Sequence, residues 1–142
     1  MAPEETDAYL VRLFRQMETS FPDALVTDWE PLLDGVRLPD PGDRHVVAAA
    51  RAGRADVIVT DNVADFPPGA LPAPLIRQSL DEFLLGSLDL YPGQVISAVH
   101  AVAGRTGRSG PSRTARDIAA YLQARGMPTF GERLLANLEV RP

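Results

Sequence analysis

Four aspartates occur in two short clusters whose spacing could build a metal site. Asp40 and Asp43 lie three residues apart at the predicted start of a helix, and Asp61 and Asp65 follow a short apolar run predicted to be a strand. A helix followed by a parallel strand places the residues after the strand at one edge of the sheet, where ligands of open α/β sheets bind. Carboxylates in an incomplete cage suit Mg²⁺ or Mn²⁺, which keep several water ligands. Cleavage of a phosphodiester with the help of such an ion needs little else from a protein.

The same residues also have a purely structural interpretation. Asp40 would cap the helix and Asp43 would occupy its third position, because the helix dipole favours negative charge there. Asp61 and Asp65 would belong to an ordinary polar turn and cap a short helix. The metal-site hypothesis gains from considering both clusters together, since Thr60 and Asn62 add neutral oxygen donors beside the second one.

The histidines and the common catalytic motifs add no further candidate. His45 lies one turn into the predicted helix and is expected to be a surface or packing residue rather than a ligand, and His100 is expected to pack in an apolar helix. No Ser-His-Asp triad, P-loop or G-x-G-x-x-G sequence can be built from the chain.

Apolar spacing and helix-capping residues predict the elements that must position these side chains. A capping box at Ser79 and Glu82 starts the helical part, and a Gly/Arg/Ser linker interrupts it at 104–111. Helices are predicted at 4–19, 28–33, 41–52, 80–88, 92–103, 112–123 (capped by Ser112) and 129–137, and strands at 24–27, 56–60 and 75–76. The fold class is therefore α/β, with an α/β part at 1–78 and a helical C-terminal extension at 79–142.

Composition limits the class of protein. The length of 142 residues suits one compact domain, and the lack of cysteine excludes disulfides and thiolate metal sites. No apolar run is long enough for a transmembrane helix, and the acidic N-terminus does not resemble a signal peptide. We therefore expect a cytoplasmic protein that does not enter a membrane.

Positive charge is carried by arginine alone and is unevenly distributed. All 14 basic residues are arginine, which reflects either codon bias or a preference for phosphate contacts. Residues 1–100 have a net charge of −9 and residues 101–142 a net charge of +4. This asymmetry favours an acidic site paired with a basic surface, although a solvated helical face would have the same composition.

Two segments of the chain, DPGDRHVVAAA at 40–50 and VIVTDNVADF at 57–66, follow a known pattern. They resemble the second half of a PIN-domain ribonuclease, and most closely the VapC-like toxins of bacterial toxin–antitoxin pairs, with a specific similarity over about residues 38–66. The helical region from Ser79 is similar to an extension found in one subset of these proteins. The resemblance implies a PIN-like three-layer core with a short parallel sheet.

By this resemblance, Asp43 corresponds to the third acid of the family, Asn62 stands at the position of the fourth, and Thr60 is the hydroxyl residue before it. The implied activity is Mg²⁺- or Mn²⁺-dependent hydrolysis of RNA. The predicted site consists of the catalytic residues Asp43, Asp61 and Asn62, the metal ligands Asp43, Asp61 and Asp65, and the supporting residues Asp40 and Thr60. The candidates for RNA binding are Arg44, Arg105, Arg108, Arg113 and Arg116.

The sequence departs from the family pattern at its start. PIN domains open with a central strand that ends in Asp, and a second acid follows on a helix, but no such pattern precedes residue 24. Glu18 or Glu30 could replace one of these acids, although no pattern supports either. We therefore expect the sheet to be incomplete at its N-terminus and to be completed by a separate N-terminal half, a second copy of the chain or a rearranged topology, with an antitoxin as a further partner.

Three functions remain open from the sequence. The first is a PIN-like ribonuclease that needs a complementing fragment or partner to complete its acidic site. The second is a catalytically degenerate PIN-like module that serves interaction or regulation. The third is an RNA-binding surface formed by the C-terminal arginines, for which binding should weaken steeply with salt.

Overall fold

The computed structural model describes residues 3–108 and 110–140, and it confirms an α/β fold with a short parallel sheet. The helices of these residues are α1 (Pro3–Ser20), α2 (Arg44–Ala52), α3 (Leu80–Leu90), α4 (Pro92–Arg105), α5 (Ala115–Ala124) and α6 (Pro128–Val140). Within the same residues, 3₁₀ turns lie at Pro22–Ala24, Glu30–Gly35 and Pro41–Asp43. The strands β1 (Val57–Val59) and β2 (Ile76–Gln78) pair in parallel, with Val57 opposite Ile76, Ile58 opposite Arg77 and Val59 opposite Gln78.

Two details of the predicted elements are wrong. The strand predicted at 24–27 is absent, because Pro22–Ala24 forms a 3₁₀ turn and the following residues join no strand of the described chain. The helix predicted to be capped by Ser112 begins at Ala115 instead. Thr114 is its cap, because the side chain of Asp117 accepts from the backbone N–H of Thr114 while the Thr114 hydroxyl accepts from the N–H of Asp117.

One compact unit comprises Met1–Asp56 and Ala64–Leu75. Its buried side chains are Val36, Val47, Ala48, Phe66 and Leu75. Helix α1 contributes little to this core, since its apolar residues Tyr9, Leu10, Val11, Phe14 and Met17 are 40–59% exposed. Most of the apolar face of α1 is therefore open to solvent within this unit.

The second unit comprises Val57–Val63 and Ile76–Pro142 and contains the sheet and helices α3 to α6. Its core is a continuous apolar cluster drawn from all four helices and the loop before α6: Leu88, Val99, Ala115, Ala119, Met127, Phe130 and Leu134. Helices α5 and α6 approach closely at Gly131, where an added Cβ atom would lie 2.5 Å from the Cβ of Gln123. The predicted capping box of Ser79 and Glu82 at the start of α3 is confirmed.

A long-range cap joins the first and last helices of this unit. The Asp81 carboxylate on α3 accepts hydrogen bonds from the backbone N–H of Phe130 at 2.8 Å and of Thr129 at 3.2 Å. Both donors belong to the first turn of α6, where N–H groups lack intrahelical partners and the dipole favours an anion. Partial burial raises the pKa of Asp81, but the hydrogen bonds from Phe130 and Thr129 outweigh it and leave the pKa below its ordinary value.

We expect Asp81→Ala to destabilise the protein near neutral pH by about 1 kcal/mol, the usual contribution of a helix cap. Because the folded-state pKa of Asp81 is lowered, its contribution is complete above the unfolded aspartate value of about 3.9 and is lost as the pH falls through the folded value. Urea unfolding of both proteins over a pH series measures this difference. A difference that stayed constant down to strongly acidic pH would contradict the assigned role of the carboxylate.

Candidate functional site

The two carboxylates of the first acidic cluster, Asp40 and Asp43, differ in their hydrogen bonds. Asp40 caps the 3₁₀ turn, since its Oδ1 accepts from the backbone N–H of Gly42 at 2.7 Å. Asp43 occupies the N-cap position of α2, but its side chain forms no capping hydrogen bond. The capping interpretation therefore accounts for Asp40, whereas the half-buried Asp43 keeps its predicted place at the helix start without a capping hydrogen bond and stays a candidate ligand.

Two neighbouring side chains hold the turn that carries Asp43. The His45 Nδ1–H donates to the carbonyl oxygen of Gly42 at 2.7 Å, and the His45 ring lies 6.3 Å from the Trp29 ring between centroids. The Nε of Arg44 donates to the carbonyl oxygen of Pro41 at 3.3 Å. His45 thus has a positioning role, which the sequence did not predict beyond packing.

Asp61, from the second acidic cluster, lies where both strands of the sheet end. The Thr60 N–H donates to the carbonyl oxygen of Gln78 at 2.9 Å, and the Thr60 hydroxyl accepts from the N–H of Asn62 at 3.1 Å. Asp61 Oδ1 accepts from the N–H of Leu80, the first residue of α3, at 3.2 Å. Thr60 therefore shapes the turn, and Asp61 ties the end of one strand to the helix that follows the other.

The structure brings Thr60, Asp61 and Asn62 together at this strand end, in the second unit. Asp40, Asp43 and Asp65 belong to the first unit. Among the residues that the structure describes, no group of three or more His, Cys, Asp or Glu side chains is arranged to hold a metal ion. The catalytic and metal-binding roles of these residues, including those of Asp43, Asn62 and Asp65, stay predictions.

The predicted RNA-binding arginines differ in the contacts that their guanidinium groups make within the protein. Arg116 forms an ion pair with Glu139 at 2.9 Å, and the Arg105 Nε donates to the carbonyl oxygen of Ala101 at 3.1 Å. Arg108 is exposed in the loop after α4. The guanidinium of Arg113 lies 5.9 Å from the centre of the Tyr121 ring.

The sequence analysis did not single out two residues beside Arg113, namely Tyr121 and Arg125. Arg125 lies 5.2 Å from the centre of the Tyr121 ring, so two arginines flank one exposed aromatic side chain. Arg125 follows Tyr121 by four residues, just beyond the helix predicted at 112–123, and this spacing would have indicated the contact had the helix been extended.

Comparison with known proteins finds a similarity for the helical region. A family model described as the VapC50 C-terminal domain matches residues 80–136, which include most of α3 to α6. The chain is also 54% identical over 50 residues to a Mycobacterium tuberculosis protein described as "Putative ribonuclease VapC50". The predicted similarity to the C-terminal region of VapC-like PIN ribonucleases is thus confirmed.

These matches have a limited extent. The aligned 50 residues make up 34% of this chain and span about 30% of the length of the curated relative. No solved structure matches the chain. Within residues 3–108 and 110–140, no helix is both long enough and apolar enough to cross a membrane.

Proposed function

We propose that the chain contributes to a VapC-like PIN-domain ribonuclease of the toxin–antitoxin type, to which it supplies part of an acidic site and the C-terminal helical region. The observation that carries this proposal is the match of residues 80–136 to the VapC50 C-terminal domain. The curated relative with 54% identity has a name that describes a ribonuclease. The proposal implies an RNA substrate, an antitoxin partner and a cytoplasmic location.

The donor chemistry of the predicted site suits Mg²⁺ or Mn²⁺, because its side chains offer only oxygen atoms. In this proposal Asp43, Asp61 and Asp65 hold the ion, and Asn62 completes the catalytic set beside Asp43 and Asp61. When bound, the ion supplies charge stabilisation to the phosphodiester and makes water a better nucleophile. The turn held by His45 would position Asp43, and the hydrogen bond from the Leu80 N–H would orient Asp61.

The open sheet supports the need for a complementing chain. Within the described residues the sheet has two strands, and parallel sheets of this size rarely stand alone. Ile76 and Val59 are 53% and 39% exposed, and the apolar face of α1 is open as well. A third parallel strand beside β1 would end at the same edge as Thr60 and Asn62, so its carboxylates could join the site.

The direct test is to express the chain from its natural locus, with the flanking DNA, so that any longer product or co-encoded partner is made with it. We expect the purified product to cleave a fluorescent RNA in Mg²⁺ or Mn²⁺. EDTA should stop this cleavage, and added Mn²⁺ should restore it. The 142-residue chain alone serves as the comparison and is expected to be much less active. A natural product with no metal-dependent cleavage would make the ribonuclease proposal wrong.

A catalytically degenerate interaction module is the second candidate. The lack of a three-ligand acidic group among the described residues favours it. Calorimetric titration with Mn²⁺ separates the two candidates, since a degenerate module has no reason to bind the ion. Micromolar binding that depends on Asp43 would count against this second function.

A further inference from the structure

We propose that Tyr121, together with Arg113 and Arg125, forms a binding site for single-stranded RNA on helix α5 and its flanking loops. A base would stack on the phenol ring, and the two guanidinium groups would bind the adjacent phosphates. The choice of RNA among polyanions rests on the proposed function, whereas the site itself rests on the geometry and charge of these three residues.

The three side chains form a compact cluster at the surface. Tyr121 is 47% exposed, although it lies on a helix whose opposite face is buried at Ala115 and Ala119. The guanidinium carbons of Arg113 and Arg125 lie 5.9 and 5.2 Å from the centre of its ring. Both distances are within the range of a cation–π contact, which holds each planar cation near the aromatic ring.

Neither arginine of this cluster forms a salt bridge within the described residues. Arg116 and Arg133, by contrast, form ion pairs with Glu139 and Asp89. The nearest acid along α5, Asp117, is engaged in the capping box. The hydrogen bonds from Thr114 to this carboxylate, together with the charge of Arg113, lower the pKa of Asp117.

Two positive charges held beside one ring repel each other, and a bound anion relieves that repulsion. A nucleic acid strand fits both parts of the cluster, because its phosphates match the guanidinium fork and its bases offer a flat π-face. An acidic peptide would use the arginines but would gain little from the phenol ring. The aromatic centre therefore favours a single strand over a protein partner.

The experiment measures binding apart from cleavage. Fluorescence anisotropy with the full chain in EDTA follows a labelled oligouridylate of about 12 nucleotides, a length within the range that single-strand sites cover. Tyr121→Ala is expected to weaken binding about tenfold, whereas Tyr121→Phe keeps the stacking surface and binds as the wild type does. Arg113→Gln combined with Arg125→Gln should reduce the slope of log affinity against log salt by about 1.4, from two lost phosphate contacts on a single strand.

Arg133→Gln is the charge-matched control for the single variant Arg125→Gln, since each removes one positive charge and Arg133 belongs to an existing ion pair with Asp89. It is expected to leave binding unchanged, and circular dichroism checks that every variant is folded. Wild-type affinity in Tyr121→Ala, or an equal loss in Arg133→Gln and Arg125→Gln, would overturn the proposal. Tighter binding of polyglutamate that is unaffected by Tyr121→Ala would assign the surface to an acidic protein instead.

The outcome is independent of the nuclease proposal. Binding that depends on Tyr121, with no metal-dependent cleavage by the product of the natural locus, would support this site and reject the nuclease. Metal-dependent cleavage by that product, with RNA binding unaffected by Tyr121→Ala, would support the nuclease and reject this site.

Discussion

Gly131→Ala is expected to destabilise the helical region by about 3 kcal/mol, at the upper end of the usual cost of overpacking. Gly131 is buried on α6, and an alanine Cβ would lie 2.5 Å from the Cβ and 2.7 Å from the Cα of Gln123 on α5. These atoms are at the backbone, so no rotation of a flexible side chain can make room. The two helices would have to move apart, and their separation would disturb the packing of Phe130 and Leu134.

Urea unfolding of Gly131→Ala and Gly86→Ala measures this effect. Gly86 is exposed on α3, and an added Cβ would meet no atom within 4 Å. Gly86→Ala should therefore stabilise the protein by up to about 1 kcal/mol, the difference in helix propensity. Equal stability of the two variants would mean that α5 and α6 do not approach as closely as described.

Asp43→Asn is expected to reduce RNA cleavage by the product of the natural locus more than about 100-fold, since even residues outside the first ligand shell commonly cost 10- to 100-fold. The amide is neutral, so it no longer attracts a cation, but it has nearly the same size and should keep the turn intact. The same substitution should abolish Mn²⁺ binding in calorimetry.

Asp56→Asn is the matched control, because Asp56 is exposed and belongs to neither acidic cluster. It removes the same charge and should leave cleavage within a few-fold of the wild type. Equal losses in both variants would point to net charge rather than to a ligand. Full cleavage by Asp43→Asn would remove Asp43 from the site.

Local patterns predicted the elements well wherever the determining contacts are close in sequence. Ser79 and Glu82 are three residues apart, and their capping box starts α3 as predicted. The same signal was present in Thr114 and Asp117, and recognising it would have corrected the start of α5 from Ser112. The strand predicted at 24–27 was wrong because a strand needs a partner that local composition does not reveal.

The candidate site was predictable as a set of residues but not as an arrangement. The Asp43 turn and the residues after β1 followed from spacing and resemblance. The hydrogen bond from Leu80 to Asp61 joins residues 19 apart, and no periodicity indicates such a contact. The positioning role of His45 depends on a carbonyl oxygen, which every residue carries and which the sequence therefore cannot single out.

The cap between Asp81 and α6 affects when the helical unit can finish folding during synthesis. The carboxylate is synthesised 48 and 49 residues before the two N–H groups that it binds. Helix α3 therefore emerges from the ribosome before the N–H groups of Thr129 and Phe130 exist. The hydrogen bonds of Asp81 can form only after α6 has also emerged. A premature stop anywhere before Pro128 would thus remove both the last helix and the closing contact of the whole unit.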